Sequence, residues 1–218
     1  MHSLKNRKLP GLRSAFGRRI SFAVVAVASL VANGPSAIGA MVTVGGPFAL
    51  TAADGAQVTD QTYRGKWLLV YFGYTSCPDS CPATLMEIGR AVGALGAAAA
   101  RLQPLFITLD PKRDTREVME KYIQSFDPAI VALTGTPEEI ATVAHEYGAY
   151  ASPHKTGPGP EDYAVDHSSY LYVVDPEGKF VRGFSAETPG ERIGDALRLL
   201  MEPAIEEGGS VGTEAKLK

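Results

Sequence analysis

Apolar residues along this chain fall into short blocks separated by glycine, proline and aspartate, and the spacing inside each block predicts its geometry. Trp67-Leu68-Leu69-Val70-Tyr71-Phe72 runs unbroken between Gly65 and Gly73, the pattern of a strand buried on both faces. Ala83 to Leu102 carries Leu85, Ile88, Val92 and Leu95 at helical spacing, so a helix is expected there although Gly89, Gly93 and Gly96 weaken it. Leu105 to Leu109 and Ile130 to Leu133 are two further apolar runs of strand length. Between them Asp114-x-x-Glu117 reads as a capping box opening a helix that reaches about Phe126. Thr136-Pro137-Glu138-Glu139 combines an N-cap, a first-turn proline and a capping glutamate, and starts a helix that Gly148 closes.

The ends of this core read as hairpins. Phe48 to Thr51 and Ala56 to Thr59 flank the turn signal Asp54-Gly55, and Tyr170 to Val174 and Phe180 to Phe184 flank Asp175-Pro176-Glu177-Gly178. Ser152 to Glu161, with three prolines and two glycines, is expected to be a mobile loop. A last helix is predicted from Gly190 to Met201, and Glu206 to Lys218 lacks apolar periodicity. The order is hairpin, βαβαβα, hairpin and helix. It predicts an α/β domain over residues 45–203 with a mixed central β-sheet, helices on both faces and an added N-terminal hairpin, followed by a disordered tail over 204–218.

Residues 1–40 have a different character. Lys5, Arg7, Lys8, Arg13, Arg18 and Arg19 open the chain with no acidic residue, and the apolar run Ile20 to Ala32 follows, which is the order of a secretory signal. Ala37-Ile38-Gly39-Ala40 supplies small residues for cleavage, and Asn33-Gly34-Pro35 stops the run short of the ~20 residues a comfortable membrane span needs. An uncleaved anchor is the alternative, since no charge lies between Arg19 and Asp54. Either way the domain is expected to be exported, in the periplasm or on the outer face of the inner membrane. Setting the six leader cations aside takes the formal net charge from −3 to −9, which disfavours nucleic acid and anionic lipid as partners.

Two cysteines are too few for a disulfide framework, and their placement points to chemistry. Cys77-Pro78-Asp79-Ser80-Cys81-Pro82 joins the buried strand to a helix beginning near Pro82. Residues four apart share a helical face, so both sulfurs can meet one metal ion or approach each other. Unpaired amides at a helix start favour a thiolate, and Cys77, nearer the turn, is the expected anion. A bridge closing so short a loop restrains the unfolded chain little, so a purely stabilising disulfide is the weaker reading.

Four segments, in order, closely resemble the Sco/SenC family of copper-binding assembly factors. They are Tyr71-Phe72-Gly73-Tyr74-Thr75-Ser76-Cys77-Pro78-Asp79-Ser80-Cys81-Pro82, Leu109-Asp110-Pro111-Lys112-Arg113-Asp114-Thr115, Leu133-Thr134-Gly135-Thr136 and Asp162-Tyr163-x-x-Asp166-His167-Ser168. The resemblance spans about Gly45 to Met201 and implies a thioredoxin-like fold. It also implies one copper ion, Cu(I) or Cu(II), held by Cys77, Cys81 and His167, and delivery to the binuclear copper centre of cytochrome c oxidase. Some members carry histidine before the first cysteine; here it is Ser76. The implied partner is the copper-receiving subunit of the oxidase, with periplasmic copper chaperones and thiol–disulfide proteins as further candidates.

Two thiolates and an imidazole suit copper, whereas structural zinc wants a fourth ligand. In a thioredoxin-like sheet the loop entering the strand at Tyr170 lies beside the cysteine turn, which places His167 within reach. Asp166, on the opposite face, is read as supporting or structural. His145 sits near a helix C-terminus and His154 in the proline-rich loop, so neither is expected to bind metal. Asp110 and Asp114 read as turn and cap residues, with Arg113 able to pair with either. Two redox functions compete with metal delivery. Cys77 and Cys81 could form a redox-active disulfide that keeps the oxidase copper-site cysteines reduced, or Cys77 could sense peroxide.

Overall fold

The structure is a computed structural model and describes residues 44–202. The leader over 1–40 and the tail over 204–218 expected from sequence lie outside the described residues. Nine strands and four helices are present within them: β1 Ala49–Ala52, β2 Gln57–Thr59, β3 Trp67–Gly73, α1 Ser80–Leu95, β4 Leu102–Thr108, α2 Arg116–Ile123, β5 Val131–Thr134, α3 Pro137–Glu146, β6 Ala151–Lys155, β7 Tyr163–His167, β8 Tyr170–Val174, β9 Phe180–Ser185 and α4 Gly190–Met201.

Seven strands form one mixed sheet in the order β2-β1-β5-β4-β3-β8-β9. The central three, β3, β4 and β5, are parallel, and the hairpins β1–β2 and β8–β9 add antiparallel edges. The unbroken apolar run of β3 is explained by its position, because it is buried on both faces. Leu69 and Tyr71 face one core layer with Leu85, Ile88, Met119, Ile193 and Leu197 of α1, α2 and α4. Val70 and Phe72 face the other, with Ile140 and Val143 of α3. Helices therefore cover both faces, as the alternation of elements predicts, and the fold is thioredoxin-like.

Three expectations need correction. First, α1 begins at Ser80 and ends at Leu95, short of the expected Leu102. Gly96 adopts a positive φ of 56°, donates to the Gly93 carbonyl, and leads into a 3₁₀ segment through Arg101. Second, α2 is capped by Thr115, whose hydroxyl accepts from the Val118 amide, and Asp114 is turned inward. Third, the first four residues of the expected loop belong to the strand β6, paired residue by residue with β7 from Ala151 opposite His167 to Lys155 opposite Tyr163. This ribbon has no main-sheet neighbour and is largely exposed, so it lacks the apolar alternation by which a half-buried strand is read. As a ribbon edge it also tolerates Pro153.

The α1–α4 contact depends on absent side chains. A Cβ on Gly190 would lie 2.2 Å from the Glu87 carbonyl oxygen, and one on Gly194 would lie 2.7 Å from Ala94 Cβ. The helices thus touch through backbone, and the Glu87 carboxylate accepts from the Gly190 amide at 2.6 Å. Gly93, on the same α1, has nothing within 4 Å of an added Cβ. Gly194→Ala is expected to lower stability by about 1–3 kcal/mol through overpacking, whereas Gly93→Ala is expected to raise it by about 0.5–1 kcal/mol. Urea unfolding of the two variants checks both signs.

Candidate metal centre

The site forms where β3 ends and α1 begins. Gly73 closes the strand, and a Cβ there would meet Cys81 Sγ at 3.0 Å and Phe106 at 3.0 Å, so this position makes room for the sulfur. The chain then turns, with the Cys77 amide donating to the Tyr74 carbonyl. Cys77 lies before the helix and not on one helical face with Cys81, contrary to the simple spacing argument. Its sulfur instead folds over the helix start and accepts from the Cys81 amide at 3.3 Å. The Asp79 N-cap makes no side-chain cap bond, so this sulfur takes the position an anion favours at a helix N-terminus.

His167 arrives from β7, as the last residue of that strand and not in the loop after it. Its Nε2 is 3.6 Å from Cys81 Sγ, and the donor atoms of Cys77, Cys81 and His167 all lie within 4.8 Å of one another. Nδ1 is 3.0 Å from the Ser168 carbonyl, which can only accept, so Nδ1 carries the proton and Nε2 turns its lone pair to the sulfurs. The rings of Tyr71 and Tyr74 meet the imidazole edge-on, with centroids at 6.4 and 5.9 Å.

The thiols differ. Burial alone would push Cys77 up, but hydrogen bonds from the Ser80 hydroxyl, 3.2 Å away, and from Cys81 outweigh it and hold the thiol below its ordinary value. Cys81, with no solvent exposure, is pushed up to about 12 by burial. Both are free thiols. Two soft sulfurs and one imidazole nitrogen within a single ion's reach fit a soft metal such as copper.

Two supports come from residues that the sequence reads as turn and cap residues, and of the two aspartates open to it Arg113 pairs with Asp110. Asp114 is fully buried and accepts from the Thr75 amide at 3.0 Å, the Thr75 hydroxyl at 2.5 Å and the Thr108 hydroxyl at 2.6 Å. It ties the cysteine turn to β4. Arg113 anchors the histidine strand: its guanidinium lies 3.7 Å from the Tyr163 ring centroid, pairs with Asp110, and donates to the Tyr163 carbonyl at 2.9 Å and the Glu161 carbonyl at 3.1 Å. The Tyr163 hydroxyl donates to Asp110 at 2.8 Å, completing a clamp at the opposite end of β7 from His167.

The remaining candidates lie elsewhere. Asp166 is exposed and 3.0 Å from His154 across the ribbon, and His145 and His154 line a groove of about 770 Å³ beside α3. Neither histidine joins the cysteines.

This fold and this site define a thioredoxin-like protein whose two cysteines and histidine form one soft-metal or thiol-redox centre. The SCO1/SenC family profile matches residues 37–202, and the chain belongs to that family. It is 42% identical over 164 residues to the human mitochondrial SCO1 homolog, covering 73% of this chain and 54% of the relative. The chain spans about half the length of the curated relatives it matches. Among solved structures, Bradyrhizobium japonicum ScoI with copper bound is 42% identical, covers 72% of this chain and 98% of its own, and superposes with a TM-score of 0.67. Yeast Sco1 with copper bound is 35% identical, covers 76% of this chain and 92% of its own, and also has a TM-score of 0.67.

Burial holds Asp114 above its ordinary value, against the opposing hydrogen bonds of Thr108 and Thr75, so its ionisation costs stability as pH rises through the window above the usual aspartate range. Asp114→Ala strands three donors and is expected to cost about 2–4 kcal/mol. Asp114→Asn, which cannot ionise, should lose less and should gain on the parent as pH rises through that window. Denaturant midpoints of the three proteins from pH 4 upward measure both effects.

Proposed function

We infer that this chain takes one copper ion between Cys77, Cys81 and His167 and passes it to the copper-receiving subunit of cytochrome c oxidase during assembly. The observation that carries this reading is the convergence of three donor atoms within 4.8 Å, one of them from a strand 86 residues beyond Cys81. Thiol chemistry has no use for that imidazole. Solved relatives with copper bound support the choice of metal. Three donors suit Cu(I) and leave an open side for an incoming ligand, which transfer by ligand exchange requires, and the nitrogen makes Cu(II) tolerable. His167 is half-buried, so the site is reached from that side.

The N-terminal leader is the basis for placing this site outside the cytoplasm, in the periplasm or on the outer face of the inner membrane. No helix among the described residues is long and apolar enough to cross a membrane.

A second reading is favoured by the unequal thiols. Cys77, held below its ordinary value, is suited to attack a partner disulfide, and the buried Cys81 to resolve the mixed disulfide. The step forms a Cys77–Cys81 bridge and releases both partner cysteines as thiols, which would prepare the oxidase cysteines for copper.

Cys77→Ser or Cys81→Ser is expected to abolish copper binding, while His145→Ala and His154→Ala keep one copper per chain by metal analysis. His167→Ala separates the two readings because both sulfurs and the helix start remain. Disulfide exchange should continue at a comparable rate, Cu(II) should be held far more weakly, and cells carrying only this variant should assemble little oxidase. Normal oxidase levels without added copper would establish the reductase reading instead.

A further inference from the structure

Among the described residues, three buried side-chain polar atoms lack a hydrogen-bond partner: the hydroxyls of Tyr71 and Tyr122 and one nitrogen of Arg113. The first of these lies at the metal centre. Tyr71 has no solvent exposure, its ring stacks on Phe106 with centroids 5.9 Å apart, and its edge contact with His167 fixes it against the site. Tyr71 and Cys81 meet at Gly73, where a Cβ would lie 3.2 Å from a Tyr71 ring carbon and 3.0 Å from the Cys81 sulfur; Thr84 is one turn further along α1, and the Tyr71 hydroxyl itself has no hydrogen-bond partner. Thr84 already donates its own proton to the Ser80 carbonyl at 2.8 Å. A buried hydroxyl with no partner is destabilising, and phenylalanine would fill nearly the same space without that cost.

We propose that the Tyr71 hydroxyl is the hydrogen-bond donor to the Cys81 sulfur when that sulfur is a copper-bound thiolate, so that a β3 residue outside the cysteine motif sets how firmly the site holds Cu(I). This rests on the copper reading above. A neutral thiol is a poor acceptor, which leaves the hydroxyl orphaned in the metal-free protein; a thiolate carries the charge that makes a strong one. Water cannot substitute, because Cys81 is sealed from solvent. Cys77 already has the Ser80 hydroxyl and the Cys81 amide beside it. Tyr71 gives the second sulfur its side-chain donor. Such a bond draws electron density from the sulfur, which stabilises electron-rich Cu(I)–thiolate more than Cu(II)–thiolate and lowers the energy of the sulfur orbitals.

Tyr71→Phe and Thr84→Val are compared with the parent by urea unfolding of the metal-free protein, by Cu(I) competition with a chelator, and by the thiolate-to-Cu(II) charge-transfer band. In Tyr71→Phe the metal-free protein should unfold at the same or a higher urea concentration. Its Cu(I) should be held about ten- to a hundredfold more weakly, and its charge-transfer band should move to longer wavelength. Thr84→Val should leave the band in place. A Tyr71→Phe protein with parental Cu(I) affinity and an unmoved band overturns the assignment. So does a lowered unfolding midpoint shared with Thr84→Val, which would make the hydroxyl a structural partner of Thr84. A parent that binds no copper overturns the copper reading itself, a result distinct from a copper-binding parent matched by its Tyr71→Phe variant.

Discussion

Asp114 accepts three hydrogen bonds out of reach of water, two of them from Thr75, two residues ahead of Cys77. Its own carbonyl accepts from the Thr134 hydroxyl at the end of β5, and its amide donates to the Asp110 carbonyl. One residue therefore joins the cysteine turn, the end of β4, the end of β5 and the entry to α2. Three parallel strands that finish side by side present loops with little else in common, and a buried carboxylate is an effective tie because its unpaired alternative is so costly. The cysteine turn inherits its position from this tie. Without it, Cys77 would be held over the start of α1 by the Cys81 amide, the Ser80 hydroxyl and the short turn closing on Tyr74.

The histidine is positioned by different means. The β6–β7 ribbon lies outside the main sheet, so no ladder of backbone hydrogen bonds fixes His167 relative to the sulfurs. Val165 enters the core layer of α1, Tyr163 and Arg113 clamp the strand's far end, and the Ser168 amide and hydroxyl pair with Tyr150. Asp110 and Asp114, four residues apart along the same short segment with Arg113 between them, thus serve the two halves of the site separately. Asp110 and Arg113 hold the histidine strand; Asp114 holds the cysteine turn. A segment that reads as an ordinary strand-to-helix connection is the common footing for all three donor atoms.

Sequence pattern alone found the elements whose burial is periodic. β3, α3, α4 and both hairpins follow their apolar spacing and turn residues, and the added closeness of α1 to α4 follows from Gly190 and Gly194 once the pairing is known. What pattern could not show is burial of polar groups and pairing without burial. Asp114 has the spacing of a helix cap, yet Thr115 beside it does the capping, and nothing in a single sequence distinguishes an inward carboxylate from an outward one. β6 is almost all exposed and contains Pro153, so its strand character comes wholly from β7. The cysteines were visible at once because their spacing limits their chemistry, whereas Tyr71 looked like any other residue of an apolar strand.

The burial that hides Tyr71 also bears on what the cysteines do. A dithiol built only for exchange benefits from an accessible nucleophile and a resolving thiol free to reach it, and both Cys77 and Cys81 are buried. Cys81 is held in a pocket shaped by the missing side chain of Gly73, between Phe106 and Tyr71, with its thiol proton retained by burial. A metal ion relieves this arrangement directly, because it replaces the proton and supplies the positive charge that the sealed pocket lacks. The same sulfur is thus a reluctant thiolate in the free protein and a strongly held ligand once a soft cation and the imidazole of His167 are beside it.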